Sequence, residues 1–305
     1  METSETLSDP IPVGCHVTSL SWQPSISNQY SKEELLLVAA CSDGSLILFK
    51  PNRVGQNYSM IGKKRIIAHE GSVVSIRWSP DGSSLVSSGE DGEVKVWSQT
   101  GHLRSTLARF DCIVNCVSWN YDSSSVISAH GNYLNVHPVQ NQANFNEWQV
   151  SNNETKDGVI LAVDWNTKSG LIISGGEDCK YRVFDALGVS LFISEPLSHP
   201  VTSIAWLPNG KAFIVGNFNM IHCCASDGEY IKSYDIDTKS SIVDMQCTKD
   251  SSQIFALGSN GIVLVASMIG KVLEWNGVRV EHVDVNQLRL YLIKERTHEI
   301  IQISK

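Results

Sequence analysis

No stretch of this sequence is apolar for long enough to cross a bilayer as a helix. The longest apolar runs, Leu35 to Cys41 and Ile262 to Ala266, are strand-sized and far short of the ~18 residues a helical span needs. Membrane insertion is therefore not expected. The N-terminus reads Met-Glu-Thr-Ser-Glu-Thr, without the basic start and apolar run of a secretory signal or the arginines of a transit peptide, so the chain is expected on the cytosolic side. Positive charge is scarce: 24 Lys and Arg face 32 Asp and Glu, a net charge of −8. Phosphate recognition needs a concentrated basic surface, which argues against nucleic acid as a partner. The dense basic cluster is Lys63-Lys64-Arg65, read here as part of an outer edge strand whose charges discourage edge-to-edge pairing.

Metal and catalytic signatures are equally thin. Cys112 with Cys116, and His222 with Cys223 and Cys224, lack the second pair that zinc spacing requires. Neighbouring residues on a strand also point to opposite faces, so Cys223 and Cys224 are poorly placed to share one ion. The eight cysteines read as small buried side chains in a reducing compartment. Gly131, Gly175-Gly176 and Gly216 fall at turns or strand ends, not in a strand-to-helix phosphate loop. No catalytic residue, cofactor, metal or small-molecule substrate is expected.

What the sequence does contain is repetition. Six copies of one pattern are anchored at Trp22, Trp78, Trp119, Trp165, Trp206 and Cys247. The anchors recur about every 41 to 46 residues, with one longer interval before Trp78 that holds an extra polar loop near residues 25 to 33. That is the period of a four-stranded β-propeller blade. In the second copy Val74, Ile76 and Trp78, then Val94 and Val96, alternate with polar residues, the period of a strand with two different faces. Asp81-Gly82 and Asp91-Gly92 mark tight turns between strands. Each copy supplies three strands, and the loop to the next copy has room for a fourth. The fold class is all-β: a propeller of six recognisable blades of four-stranded antiparallel sheet, with an incomplete seven-bladed ring as the open variant.

This pattern resembles the WD-repeat family over roughly residues 15 to 266. The resemblance implies a buried polar tetrad in the second copy made by His69, Ser87, Asp91 and Trp97. The fourth copy keeps Asp178 but has no matching His and has Phe184 in place of Trp. Early histidines such as His69 and His199 have structural roles available in such blades.

Particular segments are more specific than the blade pattern, since Arg104 to Ala108 and Glu177 to Tyr181 lie outside the general repeat. Thr100-Gly101-His102-Leu103-Arg104-Ser105-Thr106-Leu107-Ala108, Gly176-Glu177-Asp178-Cys179-Lys180-Tyr181, His199 to Trp206 and Glu274-Trp275-Asn276 resemble the WD-repeat subunits of intraflagellar transport complex B. The resemblance implies a non-catalytic scaffold that binds other complex B subunits for cilium assembly, found at the cilium, basal body and cytoplasm. It also implies a shortened form covering most of a first propeller. The repeats alone leave open a WD-repeat adaptor in a vesicle coat or a ubiquitin-ligase substrate receptor. Expected organisation is a polar segment at 1–14, propeller blades at 15–270, and a divergent strand-like tail at 271–305 serving as a partial last blade. Trp148 and Trp275 lie off the anchors and strand ends and are the candidate partner contacts, with outer-strand packing as the competing role.

Overall fold

Six copies of an alternating strand pattern produce six sheets. The computed structural model describes residues 14–24, 36–54, 57–140, 146–150, 158–236, 239–248, 251 and 253–267, and beyond these the strands at 272–275, 278–284, 287–292 and 297–302. Residues 1–13 and the polar loop at 25–33 lie outside the described residues, as do the side chains of 51–63 and of everything after 266.

The first blade is β1 (Val17–Trp22), β2 (Leu37–Cys41), β3 (Ser45–Val54) and β4 (Asn57–Ile67), and the second is β5 (Val73–Trp78), β6 (Ser84–Gly89), β7 (Glu93–Ser98) and β8 (Leu103–Arg109). The third is β9 (Val114–Trp119), β10 (Ser125–His130), β11 (Tyr133–Pro138) and β12 (Asn146–Gln149); the fourth is β13 (Ile160–Trp165), β14 (Ile172–Gly176), β15 (Tyr181–Phe184) and β16 (Ser190–Ile193). The fifth is β17 (Ser203–Trp206), β18 (Ala212–Gly216), β19 (Met220–Ala225) and β20 (Tyr230–Asp235); the sixth has three strands, β21 (Ile242–Cys247), β22 (Gln253–Gly258) and β23 (Val263–Ser267). Residues 272–302 add a four-stranded meander, β24 (Val272–Trp275), β25 (Val278–Asp284), β26 (Gln287–Leu292) and β27 (Thr297–Gln302).

Every sheet follows chain order with antiparallel neighbours, because the short turns that join most successive strands can connect only antiparallel neighbours. Asp91-Gly92 shows the device. Glu93 N–H bonds Asp91 Oδ1 at 3.1 Å, and Gly92 takes φ 74°, where an added Cβ would fall onto the Phe110 carbonyl.

The inner strands β1, β5, β9, β13, β17 and β21 pack each against the next, making a six-bladed β-propeller. Apolar residues of β6 and β7 are buried between blades. Outer strands are less buried, β8 partly and β20 largely exposed. Lys64 and Arg65 lie on β4, the outermost strand of the first blade.

Candidate functional site

In a propeller of this kind the features to examine are the devices that lock the blades and the surfaces left exposed. The second blade holds the most complete lock. His69 Nδ1 lies 2.8 Å from Asp91 Oδ1, and its Nε2 lies 2.7 Å from Ser87 Oγ. Trp97 Nε1–H donates to the same Ser87 Oγ at 2.8 Å. Donor and acceptor roles fix one direction. Asp91 can only accept, so His69 Nδ1 carries the proton, its Nε2 accepts from the Ser87 hydroxyl, and Ser87 accepts from Trp97. His69, Ser87 and Trp97 are all buried, so the relay satisfies groups that water does not reach. Asp91 also accepts the Glu70 and Glu93 N–H groups, each at 3.1 Å, tying both ends of the blade's turn to one carboxylate.

Charge follows from this arrangement. Burial pulls the His69 pKa below its ordinary value, although Asp91 pulls the other way. Burial alone would raise Asp91, but the His69 bond and the backbone N–H groups outweigh it and hold Asp91 low. Lys95 Nζ pairs with Glu93, approaches Asp91 at 3.7 Å and donates to the Ala68 carbonyl at 2.7 Å.

The other blades solve the same problem with different residues. In the third, His137 stands where Trp97 stands in the second, and its Nε2 meets Ser128 Oγ at 2.9 Å. Burial, then the neighbouring His130, pushes the His137 pKa down to about 4. In the fourth, Asp178 pairs with buried Arg182 at 2.6 Å, so an ion pair replaces the histidine relay. His199 is exposed; its ring lies 5.1 Å from that of Phe218, and its Nδ1 lies 3.0 Å from Ser198 Oγ. It forms no relay comparable to that of His69.

The anchors end the inner strands and seat on the preceding blade. Trp78 packs with Val38, Ala40, Leu46 and Leu48; Trp119, Trp165 and Trp206 make the corresponding contacts with the second, third and fourth blades. These four are only 4 to 7% exposed, and each such burial contributes roughly 2–3 kcal/mol. Trp22 differs: it ends β1 but is 54% exposed. The other anchors fill a cup on the blade before them, and Trp22 has no earlier blade among the described residues.

Side chains at two inner-strand positions latch one blade to the next. Thr18 Oγ1 donates to the Val73 carbonyl, Asn115 Nδ2 to that of Ile160 at 3.1 Å, and Thr202 Oγ1 to that of Ile242 at 2.6 Å. The first, third and fifth blades carry this latch, while Val74, Leu161 and Val243 stand at the matching positions of the second, fourth and sixth. Nearer the anchors, Ser21 Oγ accepts the Trp78 N–H at 3.1 Å, and Asp164 accepts the Trp206 N–H at 2.8 Å and the Ser118 hydroxyl at 2.9 Å. Burial raises the Asp164 pKa against these bonds. The inner strands line a channel of about 380 Å³, in which Arg77 lies 3.4 Å from Asp244.

Trp148 lies on β12, half-buried, with its ring 6.0 Å from that of Phe184. A Cβ at Gly188 would come within 2.6 Å of it. The Trp275 side chain is outside the described residues.

One surface was not anticipated from the sequence. On the outer edge of the fourth blade Leu187, Val189, Leu191 and Ile193 are each more than half exposed, Leu187 reaching 75%. The outer strands β4, β8, β12 and β20 all carry charge, whereas β16 reads Ser-Leu-Phe-Ile with none. Tyr230, Ile231 and Tyr234 add exposed apolar area on β20. The sequence signal was present as an uncharged edge strand, the kind of edge that proteins usually guard.

Repeated blades, an aspartate turn joined to a His-Ser-Trp relay and tryptophan-filled junctions define the class: the chain is a WD-repeat β-propeller protein. The sequence profile of the family described as "WD domain, G-beta repeat" matches residues 62–98 and 149–185, the second and fourth copies. Among particular proteins, the chain is similar to the Intraflagellar transport protein 80 homologs of Rattus norvegicus and Mus musculus, 38% identical over 283 residues. That alignment covers 91% of this chain and 34% of each relative, so the chain spans about a third of their length. The Actin-related protein 2/3 complex subunit 1A-B of Xenopus laevis is 28% identical over 124 residues, 39% of this chain and 33% of that protein.

Proposed function

We propose that the chain is a non-catalytic scaffold subunit of intraflagellar transport complex B, making protein contacts needed for cilium assembly, and that it works at the cilium and basal body as well as in the cytoplasm. The observation that carries this reading is the 38% identity extending over 91% of the chain, rather than over isolated repeats. The geometry supports a binding role. The polar side chains that could serve chemistry in the second blade are already engaged in the relay, while the uncharged outer edge at Leu187–Ile193 and the half-buried Trp148 offer area to a protein partner. Exposed contiguous apolar residues of this kind mark protein-interaction sites.

The test is affinity capture from ciliated cells with the 305-residue chain as bait. Recovery of other intraflagellar transport complex B subunits is the expected result. Recovery of vesicle-coat or ubiquitin-ligase components in their place would sink the proposal in favour of a WD-repeat adaptor working elsewhere.

A further inference from the structure

The first blade brings together three ligand-type side chains that the sequence keeps apart. Cys15 sits in the bend that leads into β1, Cys41 ends β2, and Asp43 lies in the following turn. The two sulfurs and a carboxylate oxygen all lie within 4.8 Å of one another. The cluster is built into the blade. Ser42 N–H bonds the His16 carbonyl at 2.9 Å, holding the bend against the turn. Asp43 is fixed by Ser45, whose N–H and hydroxyl reach Oδ1 at 3.1 and 2.6 Å, and by Arg65 on Oδ2. Cys41 is fully buried and Cys15 half-buried.

We propose that Cys15, Cys41 and Asp43 form a binding site for zinc or a similar thiophilic divalent cation. Tetrahedral zinc takes sulfur at about 2.3 Å and carboxylate oxygen at about 2.0–2.2 Å, which places its ligand atoms roughly 3.5–3.8 Å apart. Side-chain adjustments of about 1 Å would bring the observed cluster to that geometry, with water in the fourth position. Charge also balances. Two thiolates and one carboxylate against the dication leave one negative charge, and the Arg65 guanidinium neutralises it while orienting Asp43, as outer partners of metal ligands do. Binding would release the two thiol protons to solvent.

The second cluster of this kind, His69 with Asp91 and Glu93, carries no such proposal because Lys95 already supplies the cation there. In the first blade a metal would join the start of β1 to the end of β2. That is where a staple has most effect, because β1 is the inner strand whose anchor, Trp22, is exposed.

The experiment uses the full chain, reduced and stripped of metal, titrated with Co²⁺ and then with Zn²⁺. Expected are one equivalent of tight cobalt binding with thiolate-to-cobalt charge-transfer absorption, displacement by zinc, and protection of Cys15 and Cys41 from alkylation when zinc is present. Half-buried Cys15→Ser should weaken binding at least tenfold, and exposed Asp43→Asn about 10-fold; both changes avoid disturbing buried Cys41. The double variant Cys112→Ser, Cys179→Ser should bind as the unmodified chain does. No stoichiometric cobalt signal from the reduced chain, or binding unchanged in both Cys15→Ser and Asp43→Asn, would overturn the assignment.

Discussion

Replacing Ser87 by alanine is the sharpest perturbation the second blade offers. Its hydroxyl is fully buried and works twice, accepting from Trp97 and donating to His69. Alanine leaves the Trp97 N–H without an acceptor and His69 Nε2 without a donor, both in places water does not reach. A buried polar group left unpaired costs about 1–3 kcal/mol, so Ser87→Ala should destabilise by about 2–5 kcal/mol, with a deleted hydroxyl leaving too little room for a water. Denaturant midpoints measure the whole ring, and amide exchange of the second blade resolves the local effect. Trp97→Phe removes the donor instead. If the relay is one unit, the double variant should be less destabilised than the sum of the singles, with a coupling of about 1–2 kcal/mol. A Ser87→Ala change within about 0.5 kcal/mol of the parent, or strict additivity with Trp97→Phe, would refute the relay as a stabilising device.

Acid should weaken the ring before carboxylates titrate. Burial lowers the pKa of His69, His130, His137 and His222, reaching about 4 for His137; the folded state then binds fewer protons than the unfolded chain, so the stability these groups provide is present above the ordinary value and lost as pH falls from about 6.5 toward 4. His137 alone accounts for about 3 kcal/mol over that window, and a melting temperature equal at pH 7.5 and pH 5 would contradict this. Gly92→Ala should cost about 1–3 kcal/mol, since a side chain is strained at φ 74° and has no space beside Phe110; melting checks it. Trp148→Ala separates two roles: unchanged melting with lost partner capture assigns it to contact, and lowered melting assigns it to packing on Phe184. Leu191→Lys on exposed β16 should change stability by less than about 0.5 kcal/mol and reduce capture of the partner, and retained capture would remove that edge from the binding surface.

The sequence by itself determined the architecture, because strand alternation, Asp-Gly turns and a repeating anchor are local rules that hold wherever the segment lies. From them came the six copies, the aspartate turn of the second blade, the tryptophan anchors and the outer position of Lys64 and Arg65. Tertiary structure decided what depends on neighbours. Trp22 carries the same pattern as Trp78, yet stays exposed because an anchor is buried only by the cup of an adjoining blade. Arg182 substitutes for a histidine relay only because β15 holds it beside Asp178. Leu187, Val189, Leu191 and Ile193 alternate like core residues, and only their place on the outermost strand of the blade and the turn leading into it leaves them facing solvent. Cys15 and Cys41 form no motif in the chain; the pairing of β1 with β2 brings their sulfurs together. Periodicity specifies which face of a strand is apolar, and packing alone specifies what that face meets.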